Sequence, residues 1–234
     1  MSKTRLRELV RDFRIGEVAA LLDAKRELLD VRDERGRNWL HLAAMRTLAD
    51  GRTAADSISM ADLLLARGLG LSDPAFTEGR WQATPLWHAV SHGQNLALAE
   101  HLLKLGSTPD YCLFAAVWNE DRAAIRLLIA HGAKVDDDST PGETPFLGAI
   151  AWSKFGPAEE LLKHGADPDA HNGKGQTALH LMLKKGSEAR HFEMLARYGA
   201  RGDIPDADGR TAIDILRRKR DPAFHRIVDR FATR

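Results

Sequence analysis

The sequence predicts an all-α solenoid in which pairs of short helices stack and β-hairpin or turn loops project from the stack. Three observations support this prediction: apolar segments that each end in a glycine, threonine-led segments that start a helix, and polar turn-rich segments between units. A short helix pair cannot bury its apolar face alone, so the units are expected to pack against their neighbours.

Five apolar segments end in a glycine, at intervals of 26 to 38 residues. Glycine adopts positive φ without a steric penalty from Cβ, so a glycine after the last apolar turn is typical of a left-handed helix C-cap. The five positions are Gly68, Gly106, Gly132, Gly165 and Gly199. They predict five equivalent helices.

A helix start recurs in each unit. A Thr or Asn side chain can cap free N–H groups, and a proline in the next position fills the first helical turn, where its missing donor is harmless. The starts are Thr84-Pro85-Leu86, Thr144-Pro145-Phe146, Thr177-Ala178-Leu179 and Thr211-Ala212-Ile213, with Asn38-Trp39-Leu40 as a degenerate copy. Segments such as 166–175, rich in turn formers, separate a glycine stop from the next start and predict hairpin loops.

Together these motifs resemble the ankyrin repeat. Residues 33–44 and 175–180 match its D-x-x-G-x-T-P-L-H-x-A-A pattern nearly position for position, and His131-Gly132-Ala133 and His164-Gly165-Ala166 match its end. The resemblance covers almost the whole chain and implies an L-shaped stack of helix pairs with hairpin tips on one side. It also implies that His41 and His180 are structural hydrogen-bond partners of turn groups.

One ankyrin-repeat domain is predicted over residues 1–234. Its last helix carries many arginines, which suits a solvated end of a solenoid. The predicted units are an N-terminal cap at 3–32, internal repeats at 33–78, 79–107, 108–138, 139–171 and 172–205, and a C-terminal cap at 206–234.

Composition and charge narrow the functional classes. The chain has 34 basic and 33 acidic side chains, a formal net charge of +1, so no global charge favours nucleic acid. Cys112 is the only cysteine, so neither an intrachain disulfide nor a cysteine-based zinc site can form. With no signal sequence or long apolar stretch, we expect a soluble, cytoplasmic, monomeric protein that does not bind membranes.

Two departures from the repeat are visible. Nine residues are inserted in the unit at 33–78, around 49–58 and between its two helices; they form either a tolerated surface loop or a partner contact near Gly51. After Gly106, by contrast, about seven residues of the hairpin finger are missing, which predicts a notch in the row of tips.

Three of the five tryptophans fall on predicted contact surfaces. Trp81 lies at a hairpin tip that is normally polar, whereas Trp118 and Trp152 occupy corresponding places in the turn after the first helix, on the concave side of an ankyrin stack. Exposed tryptophans are common binding hot spots. The alternative is that these rings fold back to fill gaps between irregular repeats. Trp39 and Trp87 are assigned to packing.

Catalytic and metal-binding chemistry has little support. His88 and His92 are four residues apart on one predicted helix, a spacing that suits a metal pair, but no third ligand lies at a telling distance in sequence. No phosphate-binding, nucleophile-elbow or zincin motif occurs. The basic runs at 184–185 and 217–220 are more typical of solvated helix faces. We expect no enzyme, no cofactor and no metal.

The function predicted by the resemblance is a non-enzymatic scaffold or adaptor that binds a protein partner on its concave face. The residues expected to contact that partner are Arg37, Arg46, Trp81, His92, Trp118, Asn119, Trp152, Lys184 and Lys185. The alternative comes from the similarity to bacterial stand-alone ankyrin-repeat proteins, some of which are immunity proteins that inhibit a cognate toxin. A third hypothesis, an enzyme or ligand receptor, rests on the His88/His92 pair alone.

Overall fold

The computed structural model describes residues 2–49, 51–78, 81–137, 142–220 and 222–232. Two predicted repeat boundaries, after 78 and after 138, adjoin 79–80 and 138–141, which lie outside the described residues. Asp50 of the predicted insertion and the last two residues of the C-terminal cap also lie outside them. Apart from one short pair of strands, the regular elements in the described part of the chain are helices, which confirms the all-α prediction.

Two compact units divide the chain. The first comprises residues 1–116 and 130–133, and the second comprises 117–129 and 134–234. The first unit contains α1 (Ser2–Arg11), α2 (Ile15–Ala24), a 3-10 helix (Arg26–Asp30), α3 (Trp39–Ala44), α4 (Ala54–Ala66), the antiparallel strands β1 (Thr77–Glu78) and β2 (Trp81–Gln82), α5 (Pro85–His88), a π-helical turn (Ala89–Gly93) and α6 (Leu96–Lys104). The helices α7 (Cys112–Trp118) and α8 (Arg122–Ala130) follow.

The second unit continues with the same alternation of short helices. It contains α9 (Pro145–Ala151), α10 (Phe155–Lys163), α11 (Ala178–Lys185), α12 (Ala189–Arg197), α13 (Ala212–Arg217) and α14 (Pro222–Ala232). Isolated antiparallel bridges, His171 to Thr177 and Pro205 to Thr211, close the loops before α11 and α13. These bridges are the short hairpins that the turn-rich segments predict.

The predicted helix starts are confirmed. Thr84 and Thr144 cap α5 and α9 by accepting a hydrogen bond from the backbone N–H of the third helical residue, and each is followed by proline. Thr211 caps α13 in the same way, and the Asn38 amide oxygen caps α3. At Thr177 the cap of α11 is completed by His180.

The five predicted glycine stops are also confirmed, because all five glycines have positive φ. Gly165, which follows α10, has φ +88°, and a Cβ built on it would meet nothing within 4 Å. Glycine is therefore required at this position because of the left-handed backbone conformation, and not because a side chain would lack space.

Each unit is held together by apolar faces stacked between neighbouring helix pairs. In the first unit α3 packs against α1, α4 and α5; in the second, α11 packs against α9, α12 and α13. Trp39 is 1% exposed and donates its indole N–H to the carbonyl oxygen of Leu28 at 2.6 Å. Trp39 is therefore a core residue, as its place beside buried leucines predicts.

The two departures from the repeat have different structural outcomes. Part of the insertion predicted as a loop is helix, because α4 begins at Ala54 and runs for 13 residues, against 9 for α6, α8, α10 and α12. Thr53 and Asp56 form a reciprocal capping box that starts this longer helix. The missing finger is confirmed: only residues 105–111 join α6 to α7, whereas 164–177 join α10 to α11.

None of the described helices is long and apolar enough to cross a membrane.

Candidate functional site

The structure sorts the nine predicted contact residues into two clusters and two isolated positions. One cluster lies in the second unit around Trp118 and Trp152, and the other lies in the first unit around Trp81 and His92. Arg46 and Lys184 belong to neither cluster.

The first cluster, termed here the tryptophan patch, consists of Trp118, Trp152, Glu120 and Lys154. Trp118 is 60% exposed and Trp152 is 37% exposed, and their rings meet edge to face with centroids 5.0 Å apart. The equivalence predicted for the two tryptophans is wrong by one position. Trp118 is the last residue of α7, whereas Trp152 is the first residue after α9. This offset turns the two rings in different directions and allows the perpendicular contact.

An ion pair, which the sequence analysis missed, borders the two rings. The Lys154 ammonium lies 2.6 Å from the Glu120 carboxylate and 6.0 Å from the centroid of the Trp118 ring. Both charged residues follow a patch tryptophan by two positions, and this repeated spacing is the signal that could have identified them. The ammonium over the ring adds a weak cation–π attraction that helps to orient Trp118.

Two further predicted residues lie beside the patch. Asn119 is half-buried in the turn that follows Trp118. The Lys185 ammonium, on α11, donates a hydrogen bond to the carbonyl oxygen of Ala151, the residue before Trp152. The fixed lysine brings a positive charge to the edge of the patch.

The second cluster is an aromatic pocket of about 310 Å³, lined by Phe76, Trp81, Trp87, His88 and His92, with Arg35, Arg37, Ala75 and Ala83 completing its wall. The ring of Trp81 meets Phe76 at 5.3 Å and Trp87 at 4.9 Å, both edge to face. Trp87, assigned to packing from the sequence, is only half-buried and forms part of this wall. Phe76 is 49% exposed, and sequence reasoning missed its role.

His88 and His92 are in contact, but they do not lie on one regular α-helix. The α5 helix ends at His88, and a π-helical turn carries His92, which corrects the sequence prediction. Their Nδ1 atoms are 3.4 Å apart. His88 is 4% exposed, and its Nε2 has no hydrogen-bond partner among the described residues. Burial lowers the pKa of His88 to about 3, so its imidazole is neutral.

The surroundings of His92 are electropositive. Burial first, and then the charges of Arg37 and Arg35, hold the pKa of His92 below its usual value. Arg37 is ion-paired with Asp33 at 2.7 Å. Within the described ranges no group of three or more His, Cys, Asp or Glu side chains is arranged to hold a metal ion.

Arg46 and Lys184 have other surroundings. The Arg46 guanidinium donates to the carbonyl oxygen of Arg11 at 3.2 Å, at the end of α1, where a cation satisfies a free helix carbonyl. Lys184 is exposed on α11 and lines a separate groove with Gln176 and His180. The structure does not join either residue to the two clusters.

Comparison with known proteins supports the ankyrin-repeat fold. The ankyrin repeat domain of human ASB11 superposes with a TM-score of 0.72 and 22% identity over 96% of each chain. The ankyrin repeat domain of Bcl-3 superposes with a TM-score of 0.75 and 22% identity over 96% of this chain and 97% of that one. This structural similarity establishes the fold.

Sequence similarity is confined to part of the chain. Human inversin is 34% identical over 90 residues, which are 38% of this chain and 8% of inversin, and the human 2-5A-dependent ribonuclease is 35% identical over 79 residues, 33% of this chain and 11% of that protein. The matched segment is thus about a tenth of the length of these relatives. No protein-family model matches the chain.

Proposed function

We propose that this ankyrin-repeat chain is a non-enzymatic protein-interaction module and that its partner binds the tryptophan patch. The observation that carries the proposal is the exposure of Trp118, which is 60% open to solvent although its ring contacts a second exposed tryptophan. The ankyrin repeat domains that share the fold support the general role. In an ankyrin stack the ends of first helices, where both rings lie, face the concave side.

The chemistry of the patch suits a protein surface. Two large rings supply apolar surface that is removed from water on binding, and tryptophan is among the residues most enriched in binding hot spots. The ion pair of Lys154 and Glu120 provides a polar edge, which surrounds the apolar centre of many interfaces. The turn geometry helps to hold this edge, since Glu120 and Ser153 both adopt left-handed φ, +57° and +59°.

The experiment compares the intact chain with Trp118→Ala and Trp152→Ala as immobilised baits in extract of the source organism. Leu105→Ala is the matched control, because Leu105 is an exposed apolar residue, 49% open, outside the patch. We expect one stoichiometric protein to be retained by the wild type and by the control and to be depleted on both tryptophan variants.

The affinity of the chain for the retained protein then tests the proposal. Each tryptophan variant should bind it about 30-fold more weakly or worse, which corresponds to a hot-spot loss of about 2 kcal/mol. Helix content and melting temperature should stay at the wild-type values. Equal affinity of wild type and both variants for every retained protein would rule out the patch as the binding site.

The immunity-protein alternative remains a prediction of the bacterial resemblance. It requires the retained protein to be a toxin whose activity the chain blocks. An enzymatic assay of the captured protein with and without the chain tests this alternative directly. The inserted segment near Gly51 is the second candidate contact if the patch variants have no effect.

A further inference from the structure

The aromatic pocket of the first unit has the dimensions of a site for a single side chain. Its volume of about 310 Å³ is at the lower end of the range for ligand pockets, which are about 300–1,000 Å³. Phe76, Trp81 and Trp87 form one series of edge-to-face contacts along its wall. A further ring entering the pocket can extend this series, and aromatic pairs in such geometry are favourable beyond the area that they bury.

His88 offers the pocket no accessible polar atom. The residue is 4% exposed, its Nδ1 lies 3.4 Å from Nδ1 of His92, and its Nε2 is buried from solvent. The wall that an entering side chain can touch is therefore mainly aromatic, which favours an aromatic ring as the occupant.

The rim of the pocket is positively charged. Arg35, which is exposed, and Arg37 line the pocket together with His92, whose pKa is lowered first by burial and then by the charges of the two arginines. Asp33 forms an ion pair with Arg37 and partly offsets the positive charge of Arg37 at the rim. The remaining positive charge disfavours a lysine or a quaternary ammonium, the usual occupant of an aromatic cage, and favours a carboxylate next to the bound ring.

We propose that the aromatic pocket binds an aromatic side chain flanked by acidic residues, in an extended segment of the partner protein. The ring packs against Trp81 and Trp87, and an adjacent carboxylate faces Arg35 and Arg37. This inference rests on the proposed function, since its occupant is part of a protein partner.

Short peptides test the chemistry without the partner. The probe is the capped peptide acetyl-Gly-Asp-Tyr-Asp-Gly-amide, titrated into the full chain while the indole N–H signals of the tryptophans are followed by NMR. We expect saturable binding that shifts the signals of Trp81 and Trp87 and leaves those of Trp118 and Trp152 in place. Absence of binding at millimolar peptide would overturn the proposal.

Changes in the peptide separate the two contacts. Replacing Tyr by Leu should weaken binding at least tenfold, and replacing both Asp residues by Lys should do the same. Replacing Tyr by Phe should alter the affinity by less than about twofold, because the ring makes the contact. Equal affinity for the Leu peptide, or a tenfold loss with the Phe peptide, would contradict the aromatic contact. Equal affinity for the Lys peptide would contradict the charged rim.

Variants of the chain locate the site. Arg35→Glu should weaken binding of the Asp peptide at least tenfold and improve binding of the Lys peptide, whereas Lys3→Glu, the same charge change on α1, should alter neither by more than about twofold. Trp81→Ala should weaken the Asp peptide at least tenfold. Equal effects of Arg35→Glu and Lys3→Glu would overturn the assignment.

Trp118→Ala distinguishes failure of the pocket from failure of the proposed function. It should leave peptide affinity unchanged while it weakens the whole partner. If peptides fail to bind but Trp118→Ala still weakens the partner, the pocket proposal alone is wrong. If peptides bind but no partner depends on the patch, the proposed site at Trp118 and Trp152 is wrong and the pocket stands.

Discussion

The repeat that begins at α11 and the repeat that begins at α5 use histidine in opposite ways. In the first, Nδ1 of His180 accepts from the backbone N–H of Thr177 at 3.3 Å, and Nε2 lies 2.9 Å from the carbonyl oxygen of Arg210 in the next loop. In the second, Trp87 occupies the equivalent position, and the histidine is displaced by one residue to 88, where Nε2 is left without a described partner.

The lengths of the following loops explain the difference. His180 needs a carbonyl from the loop after its own helix pair, and residues 198–211 supply it. His41 in α3 follows the same rule, with Nε2 lying 2.8 Å from the carbonyl oxygen of Asp73. After α6 only residues 105–111 remain, so an imidazole in the regular position would find no finger carbonyl to bind. In the complete repeats Nε2 of the histidine is paired with a carbonyl of the next loop, whereas in the shortened repeat Nε2 of His88 is buried without a described partner.

The largest expected effect concerns the two kinds of tryptophan. Trp39→Ala should lower the free energy of unfolding by about 3–5 kcal/mol, the usual cost of truncating a fully buried tryptophan. Trp118→Ala should lower it by less than about 1 kcal/mol, because Trp118 is 60% exposed. Urea unfolding of both variants measures the difference. A similar loss for the two would mean that the patch belongs to the core, as the gap-filling alternative holds.

The two histidines give the sharpest test of the comparison, because the same substitution should have different effects. His180→Leu should cost about 2–3 kcal/mol, since it leaves the N–H of Thr177 and the carbonyl of Arg210 without their partner. His88→Leu should cost less than about 1 kcal/mol, since it removes an atom that is unpaired among the described residues. Thermal and urea unfolding of both variants on matched samples measures the two losses of stability. Equal losses would refute the proposed difference between the two histidines.

The glycine stops are expected to be alike in both kinds of repeat. Gly165→Val and Gly106→Val should each cost about 1–2 kcal/mol, because a β-branched residue is disfavoured at φ +88° and +99°. Gly173→Val is the matched control: a Cβ there also has open space, but its φ is not in the left-handed region. Unfolding midpoints equal to that of the control would show that these stops do not depend on left-handed backbone.

The smallest expected effect is a change in pH dependence. Burial lowers the pKa of His41 to about 4 and that of His88 to about 3, against about 6.5 in the unfolded chain. Between pH 6.5 and 4 the unfolded chain therefore binds protons that the native chain does not, and stability falls as the pH falls. Each histidine contributes a slope of up to about 1.4 kcal/mol per pH unit.

Urea unfolding at pH 7, 6 and 5 measures this slope. His88→Leu should make it shallower by about 1 kcal/mol per pH unit, because one of the two linked protons is removed. A slope identical to that of the wild type would mean that His88 is protonated in the native chain and that the pocket is wetter than its burial indicates.

Much of the fold follows from local sequence, and the candidate sites follow from it less well. Helix caps and glycine stops depend on backbone groups within a few residues, so Thr144, Thr177 and Gly165 could be placed without a structure. The start of α4 at Ala54 was missed, although the Thr53–Asp56 capping box that produces it is also local. That error arose from assigning a whole insertion to a loop.

The sequence by itself determined the repeating helix pairs, the shortened finger and the type of side chain at each turn, because all three are encoded by short-range backbone chemistry. Only the tertiary structure decided which of those side chains meet. The perpendicular contact of Trp118 and Trp152 depends on a one-residue offset between helix ends, and the aromatic pocket depends on Phe76, β2 and a π-helical turn converging. Such contacts depend on packing between segments, which no local pattern specifies.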